Sequence, residues 1–347
     1  MKNKKIIEFF IVLIAICLLL NQVEAFNETN ISTIDTLNYV TSDPIDIKSD
    51  QDFIDLGFSG SGTKENPYII ENYEINGTIA EDGISVQDTT KYFIIRGCKI
   101  TGAYLGIAID NVTAETALII NNYIYLNNDN GIDLFETSGH RIENNTLNEN
   151  KMAIRLDECS DLTIIDNTCI KQRGLGLLAF NCDNLTLTGN TIVYSSYEAI
   201  YFETTTNSTV YMNLFQLNDE FGAGTTARGN DNVFYHNDFI DNNQDPSVPA
   251  GASQGEDKGE NNLWYHSTLL EGNYWSDWSG EGAYQIDGEA DNSDLYPLSA
   301  PISGLVYEVP EDPTETDPTD EETPYSLFFI LALLSTAFVL IKRRNRN

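Results

Sequence analysis

The sequence predicts an all-β chain, a right-handed parallel β-helix solenoid with about 22–25 residues per coil, followed by a C-terminal transmembrane helix. Three observations point to it. An Asn-x-apolar motif recurs at Asn122, Asn145, Asn167, Asn190, Asn213 and Asn237, at intervals of 23, 22, 23, 23 and 24 residues. A second marker keeps the same period, with small residues opening short apolar strands at Gly83-Ile84, Gly106-Ile107, Gly131-Ile132, Ala153-Ile154, Gly176-Leu177 and Ala199-Ile200. Finally, the middle of the chain carries no long amphipathic helical pattern.

A unit this short cannot bury its own apolar face, so its stability must come from stacking on its neighbours. Leucine-rich repeats share the period but need a Leu-x-x-Leu-x-Leu framework, whereas these units are rich in Ile, Tyr, Thr and Asn. Stacked coils sit about 4.8 Å apart, so equivalent side chains form ladders. Asparagine suits an inward turn because its amide bonds the backbone of its own coil and the next. The six asparagines are therefore expected to be structural. Cys98 lies 24 residues before Asn122 and marks an earlier coil. Cys159 and Cys182 are 23 residues apart, one coil, so they should stack. A disulfide between them and two buried free thiols both fit that geometry.

The ends of the chain carry an address. Lysines precede an apolar run from Phe9 to Leu20, and Val23-Glu24-Ala25 follows, so residues 1–25 read as a cleaved signal peptide. Residues 26–52 form a lead-in and 53–299 the β-helix with its C-terminal aromatic cap. Residues 300–323 are an acidic Pro/Thr-rich spacer that cannot pack. Residues 324–341 are apolar enough to span a bilayer, and the basic tail 342–347 would stay in the cytosol. The expected place is the cell surface, with the body outside and a single-pass anchor. Export also gives meaning to the sequons at Asn27, Asn30, Asn76, Asn111, Asn144, Asn184 and Asn207.

The chain has 53 acidic and 19 basic side chains and a net charge of −34. That field repels phosphate and excludes nucleic acid as a partner. It suits solubility, a high-salt setting or cation binding.

Two flanking motifs are more specific. The first is Gly60-Ser61-Gly62-Thr63-Lys64-Glu65-Asn66-Pro67-Tyr68-Ile69-Ile70. The second is Gly272-Asn273-Tyr274-Trp275-Ser276-Asp277-Trp278, followed by Tyr284-Gln285-Ile286-Asp287-Gly288 and Asp294-Leu295-Tyr296-Pro297-Leu298. Together they resemble the NosD-like right-handed β-helix proteins, often labelled periplasmic copper-binding, over about residues 53 to 299. The resemblance implies a pectin-lyase-like fold, with the first motif opening the coils and the aromatic motif near their end. Trp275 and Trp278 are read as cap residues that close an otherwise open solenoid edge.

Copper favours clusters of His, Met or Cys. The nearest approach to one is His236 with His266, in matching Asn-x-aromatic-Tyr-His segments at Asn232 and Asn262, which would become neighbours if those segments stack. Calcium needs several oxygens, and Asp287, Glu289, Asp291 and Asp294 form one oxygen-rich segment, with Asp241 to Asp245 another. On the outer face, Asp157 with Arg155, or Asp133 with Glu136 and His140, would make a small polar site. No concentrated catalytic set stands out, so no catalytic residue is assigned. The reading is a non-enzymatic surface module binding glycans or other surface components. The alternatives are a carbohydrate-active lyase, hydrolase or epimerase and, more remotely, a copper-handling accessory protein.

Overall fold

The computed structural model describes residues 38–302. The signal segment, the sequons at Asn27 and Asn30, the anchor 324–341, the basic tail and all but the first residues of the spacer lie outside the described residues. Among the described residues no helix is long and apolar enough to cross a membrane.

The coils wind through three parallel sheets of ten, nine and eight strands, here the first, second and third. Each turn passes from the third sheet to the first and then the second. The first strands are Val40–Ser42 and Ile45–Ile47, so the solenoid begins ahead of residue 53. A one-turn helix, Asp52–Asp55, brings Phe53 over the open end, where its ring stacks on Tyr68 at 4.6 Å.

Parallel register puts like side chains above one another. In the first sheet Ile100, Ile124, Leu147, Cys169, Ile192, Phe215, Phe239 and Trp275 form one inward column. In the third, Ile95, Ile119, Ile142, Ile164, Leu187, Val210 and Phe234 form another. All of these are buried, and each large apolar side chain contributes about 1.5–3 kcal/mol by leaving water. The column widens toward its end into an aromatic plug: Phe239 stacks on Trp275 at 4.1 Å, and Trp275 on Tyr284 at 4.2 Å.

The asparagine ladder forms as the spacing predicts. Oδ1 of Asn145 accepts both the backbone N–H and the Nδ2–H of Asn122, at 3.0 and 2.9 Å. The same pattern passes through Asn167, Asn190, Asn213 and Asn237. It starts at the N–H of Cys98 and continues one coil further, to Asn273. The residue before each ladder asparagine from Asn122 to Asn237 is left-handed, with φ of 58° at Asn121, 50° at Asn144 and 55° at Asp166. That conformation makes the sharp corner between the third and first sheets and is easiest for Asn, Asp and Gly.

A second ladder lies five residues further along the chain and escaped the sequence reading. It comprises Asn127, Asn150 and Gln172, then Ser195, Asn218, Asn242 and Gln254. Cys159 and Cys182 do stack, with the N–H of Asp183 on the Cys159 carbonyl at 3.0 Å, but all four described cysteines are buried free thiols.

Candidate functional site

The C-terminal motif explains itself in contacts. Gly272 must lack a side chain, because a Cβ there would lie 1.9 Å from Oδ1 of Asp294. Oδ2 of Asp294 accepts the backbone N–H of Asn273 at 2.7 Å and the indole N–H of Trp275 at 2.9 Å. Asp257, also fully buried, accepts the indole N–H of Trp264 and an Nδ2–H of Asn262, at 2.9 and 2.8 Å. Two carboxylates thus close the end of the solenoid. Trp275 is a cap residue as expected, and Trp278 packs against the same core from a partly buried position.

This arrangement separates the four acids read as a calcium segment. Asp294 is buried among N–H donors, whereas Asp287, Glu289 and Asp291 are exposed. Among the described residues no three His, Cys, Asp or Glu side chains gather closely enough to hold an ion. Of the second oxygen-rich segment, Asp241 to Gln244 line a cleft of about 490 Å³ and Asp245 does not; there Asp241 accepts the Ser276 hydroxyl and Gln254 donates to Asp277.

The segments holding His236 and His266 stack, as their matching sequence suggested: the Asn232 N–H donates to Oδ1 of Asn262 at 2.8 Å. Both imidazoles then pack on Tyr235, at ring distances of 5.0 and 4.9 Å. His236 Nε2 lies 2.7 Å from Glu271, and His266 Nδ1 accepts the N–H groups of Thr268 and Leu269. With one imidazole nitrogen of each ring engaged and no third ligand gathered, these residues do not fit a copper centre.

The chemistry instead concentrates on the outer face of the second sheet. Register aligns Asp133, Arg155, Leu178, Tyr201, Gly224 and Glu256 in one row across successive coils. A parallel row holds Asp110, Phe135, Asp157, Phe180 and Glu203. Near the middle, Arg155 bridges Asp133, at 3.5 Å, and Asp157. Asn130, itself buried, donates from Nδ2 to Asp133 at 2.6 Å and leaves its Oδ1 without a partner. Burial raises the Asp133 carboxyl above its usual range, against the pull of Asn130 and Arg155.

Of the two outer-face sets read from sequence, Arg155 with Asp157 comes together and recruits Asp133. His140 does not join them, because it turns inward. Its Nδ1 accepts the Ala117 N–H at 3.2 Å, its Nε2 pairs with Thr137, and burial pushes its pKa down to about 4. Glu136 is exposed in the turn.

A second cluster, missed in the sequence, lies toward the C-terminal end of the face. It gathers Glu198, Tyr201, Glu220, Glu256 and Lys258. Lys258 Nζ is 2.6 Å from Glu256 Oε2. Gly224 leaves room for the Tyr201 ring, since a Cβ there would lie 2.9 Å from Cδ2 of Tyr201. Burial, partly offset by its own backbone N–H, and the carboxylates of Glu220 and Glu256 push the Glu198 carboxyl up to about 7.

Comparison with known proteins accords with this fold. The family described as Periplasmic copper-binding protein (NosD) matches residues 57–280. The chain belongs to the NosD family. Its family description agrees with a location outside the cytoplasm. Among solved structures, the A-module of the Azotobacter vinelandii mannuronan C-5 epimerase AlgE6 is similar at 12% identity and TM-score 0.50, over 67% of this chain and 64% of that one. The periplasmic alginate epimerase AlgG is similar at 16% identity and TM-score 0.47, over 57% of this chain and 50% of that one. This NosD-family chain therefore spans only half to two thirds of those proteins' lengths, and at such identities they share its fold alone. No curated protein matches the chain.

Proposed function

We propose that this NosD-family protein is an exported binding module whose second-sheet outer face takes an extended glycan. The observation that supports this reading is the pair of rows in which aromatic rings (Phe135, Phe180 and Tyr201) alternate with the Asp133–Arg155–Asp157 network and the Glu256–Lys258 pair. Sugar rings present apolar faces to aromatic side chains and hydroxyls to carboxylates and guanidinium groups, so a surface offering both in a line suits a polymer. The open face and the coil-by-coil register favour a long ligand over a small enclosed one. Anchoring at the cell surface, with the body outside, completes the proposal.

The test is binding of the full-length chain in detergent to a panel of neutral and acidic polysaccharides, with and without calcium. Arg155→Ala and Tyr201→Ala should each weaken binding about tenfold, roughly 1.4 kcal/mol. Binding that neither substitution changes would place the ligand elsewhere; no binding across the panel would favour a protein partner.

A further inference from the structure

We propose that the C-terminal part of this face is a proton-transfer centre that hydrolyses glycosidic bonds in a neutral glycan, with Glu198 as the acid and Glu256 as the base. This inference rests on the glycan reading above and goes beyond binding.

The constellation mixes three kinds of group. Tyr201, Gly224 and Glu256 occupy equivalent positions in successive coils, so the Tyr201 ring lies over the bare backbone of Gly224 as an aromatic platform between Glu198 and Glu256. Glu198, three residues before Tyr201, lies beside that ring, its Cγ 3.9 Å from where a Cβ of Gly224 would stand, and Glu220 from the next coil is close enough to act on its carboxyl. Lys258, two residues past Glu256, holds that carboxylate by an ion pair. Also within electrostatic reach are Glu203, which acts on Tyr201, and Asp219 and Asp245, which act on Glu220.

The two candidate carboxyl groups have opposite surroundings. Glu198 sits half-buried against like charges, which favours its protonated form, whereas Glu256 is ion-paired with the Lys258 ammonium at 2.6 Å. An acid and a base made from two carboxyl groups in different environments is the arrangement that glycoside hydrolysis uses. Glu198 donates its proton to the glycosidic oxygen as the C1–O bond breaks, and the bonding electrons stay on that oxygen. The oxygen of a water molecule bonds to C1, and the proton it sheds passes to Glu256. The reaction consumes one water, and solvent returns the proton from Glu256 to Glu198. No oxidant or cofactor is needed.

Charge also selects the substrate class. Three glutamates face a single lysine that is already paired, so a uronate would meet net repulsion, and lysis or epimerisation of uronates would lack the cation needed to neutralise the sugar carboxylate. A neutral polysaccharide meets no such penalty.

Two measurements on the full-length protein test this. In the first, reducing-end-labelled mannan, galactan, xylan and β-glucan are incubated with the protein across pH 5–8, and binding and chain scission are read separately. The expected result is scission of a bound polysaccharide that falls off above pH 7 and drops at least a hundredfold in Glu198→Gln with binding retained. Binding without scission, or scission unchanged in Glu198→Gln, overturns the hydrolysis but leaves the binding reading intact. Failure to bind any of the four overturns the hydrolysis of neutral glycan, while binding of acidic polysaccharides in the wider panel would still sustain a binding face. In the second, protein labelled with ¹³C at the glutamate carboxyls is titrated; one resonance should titrate near pH 7 and vanish in Glu198→Gln. If every glutamate titrates in the ordinary carboxylate range, the proposal falls whatever the polysaccharide.

Discussion

The backbone N–H of Asn273 donates to Oδ2 of Asp294 at 2.7 Å, so an ionisable side chain closes a ladder that asparagines build everywhere else. Each ladder asparagine hands its N–H to the Oδ1 of the next coil, and at the last coil no further asparagine exists to receive it. Asp294 arrives from a later segment and supplies the missing acceptor. The same carboxylate takes the indole N–H of Trp275 and the backbone N–H of Tyr296. Asp294→Ala would orphan all three donors and should cost about 2–4 kcal/mol in denaturant unfolding, with Asp294→Asn costing about half as much. A loss below about 0.5 kcal/mol in Asp294→Ala would mean that the ladder needs no cap.

Within the ladder, Asn190 receives two hydrogen bonds from Asn167 and donates to Ile164 and Asn213. Asn190→Ala should cost about 3 kcal/mol, because buried backbone groups lose partners that water cannot replace. Asn148→Ala, on the outer side of the Asn145 coil, should stay within about 0.5 kcal/mol. Equal losses at the two sites would contradict the ladder as the main polar support.

His140 ties stability to acid. Its folded pKa of about 4 lies below the ordinary 6.5, so as pH falls from 6.5 the unfolded chain takes up a proton that the folded protein refuses. The stabilisation is fully present above 6.5 and is lost progressively toward pH 4, by roughly 3 kcal/mol. His140→Asn places at this turn the residue type found at Asn232 and Asn262 and should flatten that part of the pH–stability curve. An unchanged slope would assign the acid sensitivity to carboxylates.

Glu198 works in the opposite direction. Its folded pKa near 7 exceeds the ordinary 4.5, so the folded state holds the proton more tightly and stability falls as pH rises from 4.5 to 7. After allowance for partial exposure, the loss is about 1–2 kcal/mol. Glu198→Gln should therefore raise the melting temperature at pH 8 and leave it nearly unchanged at pH 4. A variant equally stable with the parent at both values would show that the carboxyl is not strained by its neighbours.

Burial pushes the Cys98 thiol up to about 11 and that of Cys169 up to about 12, and Cys159 and Cys182 are buried as well. None of the four should react with a thiol reagent in the native protein, and all four should react after unfolding without reductant. Reaction at Cys98 and Cys169 but not at Cys159 and Cys182 would establish the bridge between the latter pair.

The architecture was legible because a solenoid writes its period into the sequence. Asn122 to Asn237 and the Gly/Ala-Ile pairs repeat wherever a coil repeats, and each coil contacts only its neighbours. Even the second ladder was there to be found, since each of its members in those coils stands five residues after one of the first. The site was not legible in this way. Asp133, Arg155 and Asp157 lie in two coils, and Glu198, Glu220 and Glu256 in three. In a chain with 53 acidic side chains nothing marks these as special until register places them side by side.

By itself the sequence determined the repeat, the inward asparagines, the stacking of Cys159 on Cys182 and the match between the Asn232 and Asn262 segments, because these follow from a single period. Only the tertiary structure decided that Asp294 caps a ladder instead of standing with Asp287, Glu289 and Asp291, that His140 faces inward, and that Glu198 meets Glu220 and Glu256. Those outcomes depend on which way a side chain leaves its coil and on which distant segment folds over the end. A one-dimensional period carries no record of either.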